Sequence, residues 1–116
     1  VLVAPVRPSW KSRYPTIPID RYLSWQTAEG LAFDPWVRVH QRLGAKKLRV
    51  APRSMVCRGT VGEWESWTGM AFPESHRYVV PDALEPVVID CAKDVGVYEE
   101  PNLWMLHAID SHQSSS

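Results

Sequence analysis

Asp34-Pro35-Trp36-Val37-Arg38-Val39-His40-Gln41-Arg42-Leu43-Gly44-Ala45 carries a start, a face and a stop for one helix. Asp34 is the N-cap, because its carboxylate accepts first-turn N–H groups that have no partner inside the helix. Pro35 takes the first helical position, where its missing N–H is no loss. Gly44 supplies the left-handed residue just past the end. Trp36, Val39, His40 and Leu43 fall at i, i+3, i+4 and i+7. The spacing therefore predicts a helix over 35–43 with these four on its apolar, core-seeking face.

Downstream of this helix, Ala45–Ala51 and Ser54–Arg58 read as two strands with Pro52-Arg53 between them. Upstream, Ile19–Ala28 has Ile19, Tyr22, Leu23 and Trp25 near helical spacing, with Gly30 as a stop. Pro8–Pro18 is irregular. Val1–Val6 is a β-branched apolar run in which Pro5 marks a strand end or edge. Further on, Thr60-Val61-Gly62-Glu63 matches a capping box. It opens a short helix with Trp64 and Trp67, ended by Gly69. Tyr78–Val80 and Pro86–Asp90 are strands around a Pro81-Asp82 turn. Val97-Tyr98 and Leu103–His107 form a last strand pair around Glu100-Pro101-Asn102, and 108–116 is expected to be a disordered tail.

The chain has 116 residues, enough for one domain or less. Thirteen Lys+Arg against thirteen Asp+Glu leave no net field to draw it to nucleic acid or an anionic membrane. No apolar run approaches the roughly 18 residues of a spanning helix, and the opening stretch lacks the basic flank of a secretory signal. Cys57 and Cys91 are too few for a disulfide framework. These features lead to an expected cytoplasmic protein. Six Trp in so short a chain supply the large buried areas a small core needs.

The histidines are His40, His76, His107 and His112, and no HExxH or CxxC spacing accompanies them, so no metal site is expected. Cys57 sits in an apolar strand pattern and reads as a buried thiol. No GxSxG, Walker A loop or dinucleotide fingerprint occurs. Lys46, Lys47, Arg49, Arg53 and Arg58 cluster near tryptophans. A solvated strand face is the stronger reading of them, and single-stranded nucleic-acid binding the weaker. His40 is either a core histidine with satisfied ring nitrogens or a proton donor or acceptor tuned near neutral pH. Spacing alone leaves both open.

The ordered set APVRPSWKSRYP, DPWVRVHQRLGA, GTVGEWESWTGMAFPES and EPNLWMLH resembles the C-terminal half of a bacterial-type branch of the GNAT acyltransferases. In that family a helix of this kind follows the fifth strand and precedes the sixth, which Val1–Arg7 and Ala45–Val50 would match. The resemblance implies an α/β (α+β) fold with a mixed sheet. It spans residues 1–107, core-like over 1–54 and extended over 55–107. It also implies acetyl transfer from acetyl-CoA, without a metal, to an amine acceptor by direct attack on the thioester. Such a reaction calls for a base, an oxyanion donor and an acid for the thiolate.

Family members often carry that acid as a Tyr on this helix, and the matching position is His40. Asp34, Val37 and His40 would line the coenzyme wall, with Asp34 standing where family members often have Asn. The pyrophosphate of the coenzyme sits in the family on a Gly-rich loop upstream of the fifth strand. This chain starts beyond that point, so it is expected to hold half a coenzyme site and to be inactive alone. Trp64, Trp67, Tyr78 and Trp104 are candidates to line an acceptor pocket, against the plainer reading of an aromatic core. A strand edge left without its neighbour would favour homodimers. The alternative to an enzyme is a non-catalytic interaction module on the same half-fold.

Overall fold

The computed structural model describes residues 2–108. Val1 and all but the first residue of the expected tail lie outside that range. In chain order the elements are β1 (Leu2–Val6), a 3₁₀ turn (Lys11–Arg13), α1 (Ile19–Leu23), α2 (Pro35–Arg42), β2 (Lys46–Gly59), α3 (Val61–Thr68), β3 (His76–Tyr78), β4 (Val87–Asp90) and β5 (Val95–His107). The fold is α+β, an open five-stranded sheet with three short helices, and every described strand pair is antiparallel. No described helix is long and apolar enough to cross a membrane.

β5 is the spine. One of its edges pairs with β2, from Gly59 opposite Gly96 to Lys46 opposite Leu106. Its other edge is divided. β4 takes the N-terminal part, with Val88 opposite Val97, and β1 takes the C-terminal part, with Val6 opposite Leu103 and Leu2 opposite His107. β3 continues the sheet beyond β4.

The two predicted strand pairs around Pro52 and Pro101 are single long strands. Proline is excluded from a regular ladder because it has no N–H to donate. Here Pro101 lies where β4 has ended, β1 has not begun, and β2 bulges between Ala51 and Met55 around Pro52. The ladder is already interrupted there, so neither proline breaks it.

Burial along β5 changes parity at the same place. Gly96, Tyr98 and Glu100 are buried, then Leu103 and Met105. Alternate residues of a strand point to opposite faces, so β5 supports two cores. The first joins Val6, Ile19, Tyr22, Leu23, Val37, Leu103 and Met105. The second joins Trp64, Phe72, Val80, Val87, Ile89 and Tyr98.

Two helices depart from expectation. α1 stops at Leu23 instead of Ala28, because Trp25 is drawn into an aromatic cluster with Tyr14, Tyr22 and Phe33, at ring-centroid distances of 5.2, 5.4 and 5.4 Å. α2 has the expected length and caps, but its predicted inner face points outward. Trp36, Val39 and Leu43 are 46%, 41% and 71% exposed, whereas Val37 is fully buried. What orients the helix is Asp34 at its start, Val37 on the sheet, and Gln41, whose Oε1 accepts from Ala32 N at 2.8 Å. Counting apolar side chains selected the wider stripe, not the anchored one.

Candidate functional site

Asp34 is 1% exposed and its carboxylate organises everything around the start of α2. Oδ1 accepts from Trp36 N at 3.0 Å, Val37 N at 3.1 Å and Ser9 N at 3.2 Å. Oδ2 accepts from Trp10 N at 3.0 Å and from the Tyr22 hydroxyl. Burial, and then the hydrogen bond to Asp34, push the Tyr22 phenol well above its ordinary value, so it stays a donor. The N-cap role predicted from sequence is present. The tie to Ser9, Trp10 and Tyr22 had no local signal. Val37 contributes its N–H to Asp34 and its side chain to the first core.

His40 is held on the flank of α2 one turn beyond Trp36, whose indole meets the imidazole edge-on with centroids 4.9 Å apart. Its Nδ1 lies 2.9 Å from Nε2 of His107, the last residue of β5. One of these facing nitrogens must carry the hydrogen and the other accept it. Burial, and then the neighbouring His107, lower the pKa of His40 below the usual imidazole value. His40 is thus held in its neutral form, suited to taking up a proton. The outer ring nitrogens, Nε2 of His40 and Nδ1 of His107, are not used in this contact. Sequence reasoning missed the pairing, although strand parity carries the signal. Leu103, Met105 and His107 alternate on the face that receives the helices.

The four aromatic residues proposed for an acceptor pocket are not brought together. Trp64 is buried, with Nε1 donating to Gly96 O at 2.9 Å, and Trp67 stands edge-on to it at 5.1 Å. These two share a cavity of about 280 Å³ with Arg7, Asp82, Tyr98 and Glu100. Tyr78 packs on Phe72 and donates to Glu74 O at 2.7 Å. Trp104 sits opposite Pro5 and near Arg49 on the other half of β5, on the face turned away from His107. From Glu100 to His107 is seven strand residues, about 23 Å at 3.3 Å each. A molecule the size of an amino acid cannot span from the Trp64–Trp67 cavity to His40.

The N-termini of α2 and α3 are occupied by the chain's own side chains, whereas that of α1, after Pro18, has no side-chain cap. Asp34 fills that of α2, and Thr60 with Glu63 fills that of α3 in the predicted capping box, with bonds of 2.8 and 3.1 Å. No three His, Cys, Asp or Glu converge among the described residues. The basic residues of β2 are solvent-facing. Lys47 donates to Leu23 O at 2.7 Å and Arg53 pairs with Glu99 at 3.0 Å.

No family model and no solved structure matches the chain. Over 93% of its length, across 126 aligned residues, it is 36% identical to Arginine N-acetyltransferase avaD of Aspergillus versicolor. The chain spans 43% of that relative's length, less than half of it.

Proposed function

We propose that these residues are the C-terminal part of an acetyl-CoA-dependent GNAT-type N-acetyltransferase whose acceptor is an amine of arginine or an arginine-like compound. The observation that carries this is the identity to an arginine N-acetyltransferase over nearly the whole chain. The order β1, α2, β2 is what the GNAT resemblance implies for the strand, helix and strand of that half. Exposed apolar side chains, Leu2 on β1 and Trp36, Val39 and Leu43 on α2, are surface of the kind a preceding half-domain would cover. That half would have to bring the pyrophosphate cradle.

The resemblance assigned His40 to protonating the leaving thiolate. A lowered pKa suits the opposite direction better. In this reading Nε2 of His40 takes a proton from the acceptor's ammonium, while Nδ1 hands its own to Nε2 of His107. The freed amine lone pair is then available to attack the thioester carbonyl. Asp34 is a positioning residue that fixes the helix carrying His40, and Val37 seats that helix on the sheet.

The test compares the 116-residue chain with a protein extended upstream to the relative's full length, each given acetyl-CoA and L-arginine, with product read by mass spectrometry. Acetylarginine from the longer protein alone is expected, with His40→Gln slowing it on the order of 100-fold. No product from the longer protein, together with no thermal shift on acetyl-CoA, would overturn the reading. It would leave the interaction module, which the same exposed apolar surface also suits. Sedimentation of the short chain reports whether a second copy takes that surface as a homodimer.

A further inference from the structure

The cavity between α3 and the 80–83 loop is built from groups whose hydrogen-bonding capacity can be traced one by one. Tyr98 Oη donates to Glu100 Oε1 at 2.9 Å and accepts from Leu84 N at 2.9 Å. Burial, first of all, raises the Tyr98 phenol to about 12, so it remains protonated. Glu100, 7% exposed, receives Arg7 Nε on Oε2 at 3.1 Å. Thr68 Oγ1 donates to Trp64 O and accepts from Met70 N. These groups are saturated by one another.

Two charged groups on the lining are not. The Arg7 guanidinium has five N–H donors. It spends one on Glu100 and one on Asp82 O at 2.9 Å, and its side chain is 44% exposed. The Asp82 carboxylate has no hydrogen-bond or ion-pair partner among the described residues. Beside them stands the half-exposed indole of Trp67, braced by the buried Trp64. A planar cation with spare parallel donors recognises a carboxylate. An unpaired carboxylate recognises an ammonium, and an indole face takes an aromatic or guanidinium plane.

The geometry points to a binding site for a free α-amino acid. Its carboxylate lies on Arg7, its ammonium on Asp82, and a long or flat side chain on Trp67. The volume, about 280 Å³, is enough for a single amino acid. Glu100 and Tyr98 hold Arg7 in place and do not touch the ligand. This site is about 23 Å from the His40–His107 pair. It is therefore separate from the proposed transfer site and does not depend on the acetyltransferase reading.

Calorimetric titration of the 116-residue chain, without acetyl-CoA, tests this with three probes. They are L-arginine, agmatine, which lacks the carboxylate, and N-acetyl-L-arginine, which lacks the ammonium. Saturable one-to-one binding of L-arginine, on the order of 1 mM or tighter, is expected, with each truncated probe at least tenfold weaker. Asp82 sits at φ 64°, a left-handed conformation that Asn adopts readily. Asp82→Asn therefore keeps the loop and removes the charge, and is expected to weaken L-arginine at least tenfold with an unchanged melting temperature. Trp67→Ala is expected to weaken L-arginine at least tenfold as well, with some loss of melting temperature because Trp67 also packs on Trp64. No saturable binding of L-arginine, equal binding of agmatine, or indifference to Asp82→Asn would each overturn the proposal.

Discussion

The core on the C-terminal half of β5 and the core on its N-terminal half are closed in different ways. The first has a polar centre, since α1, α2 and the loop after β1 are tied together by the single carboxylate of Asp34. It leaves large apolar side chains of α2 and β1 in solvent. The second is built by side-chain fit. Its helix is capped at both ends, by the Thr60–Glu63 box and by left-handed Gly69, and Trp64 lies directly on the glycine backbone of β5. Both leave large apolar side chains in solvent, Trp36, Val39 and Leu43 beside the first and Met55, Trp67, Val79 and Val88 beside the second, so what separates them is the buried carboxylate of the first against the close packing on glycine of the second.

The largest expected effect is on the polar centre. Asp34→Ala removes the acceptor for four backbone N–H groups and the Tyr22 hydroxyl at once. Stranded buried donors cost about 1–3 kcal/mol each, partly relieved by water, so a loss of about 4 kcal/mol is expected in urea unfolding. Tyr22→Phe, which removes only one of these donors, is expected to cost about 1 kcal/mol. Equal small costs for both would mean that Asp34 is a simple helix cap, and the contrast between the two cores would fail.

Gly96→Ala tests the fit of the other core. A Cβ there would lie 2.6 Å from Trp64 Nε1 and 2.8 Å from Ile89 Cδ1, and Trp64 is too buried to swing away. Overpacking of this kind is expected to cost about 3 kcal/mol. The damage should show as lost near-ultraviolet dichroism from Trp64 and as faster amide exchange in α3, β3 and β4. An unaltered α3 with a disturbed α2 would contradict the division into two cores.

Lys11 measures how tightly the two are coupled. Its side chain is fully buried, and its ammonium reaches across to Leu84 O at 2.6 Å while also bonding Tyr14 O at 2.9 Å and facing Glu85 at 3.3 Å. Burial, more than Glu85 can offset, lowers its pKa. Lys11→Met leaves the carbonyls and the partly exposed Glu85 without their donor, a loss of about 2 kcal/mol. It is expected to broaden or split the unfolding transition, since the extension loses its anchor to the loop after β1. A single sharp transition at lower denaturant would show that the shared β5 alone couples the cores.

Caps and turns were legible because they are local chemistry. Asp34-Pro35, Gly44, Thr60–Glu63 and Gly69 each satisfy backbone groups within a few residues, and all are found where the sequence places them. The inner face of α2 was not legible. It depends on Gln41 and Val37 meeting partners from other segments, and the apolar stripe of Trp36, Val39 and Leu43 says only that something covers it. The long strands were hidden by Pro52 and Pro101, which lie near one another only once β2 and β5 are paired. For the candidate site, His40 could be picked out by its place on a helix. Its partner is 67 residues away and comes into reach where β2, directly after α2, pairs Lys46 with Leu106 of β5.

The smallest effect expected is the pH dependence that this pairing imposes. An unfolded histidine titrates near 6.5, whereas burial and His107 hold His40 lower in the fold. Between those two values the unfolded chain binds a proton that the native one does not, so stability rises with pH across that window. Above about 6.5 the contribution is complete. As pH falls below it, stability is lost until the folded-state pKa is passed. Because His40 is only partly buried, the loss is expected to be a small downward drift in melting temperature between neutral and mildly acidic pH. His107→Asn keeps a polar end to β5 but removes one cause of the shift, and should flatten the drift. A drift left unchanged by that variant would place its origin in burial alone, and the two histidines would then be neighbours without being a proton-sharing pair.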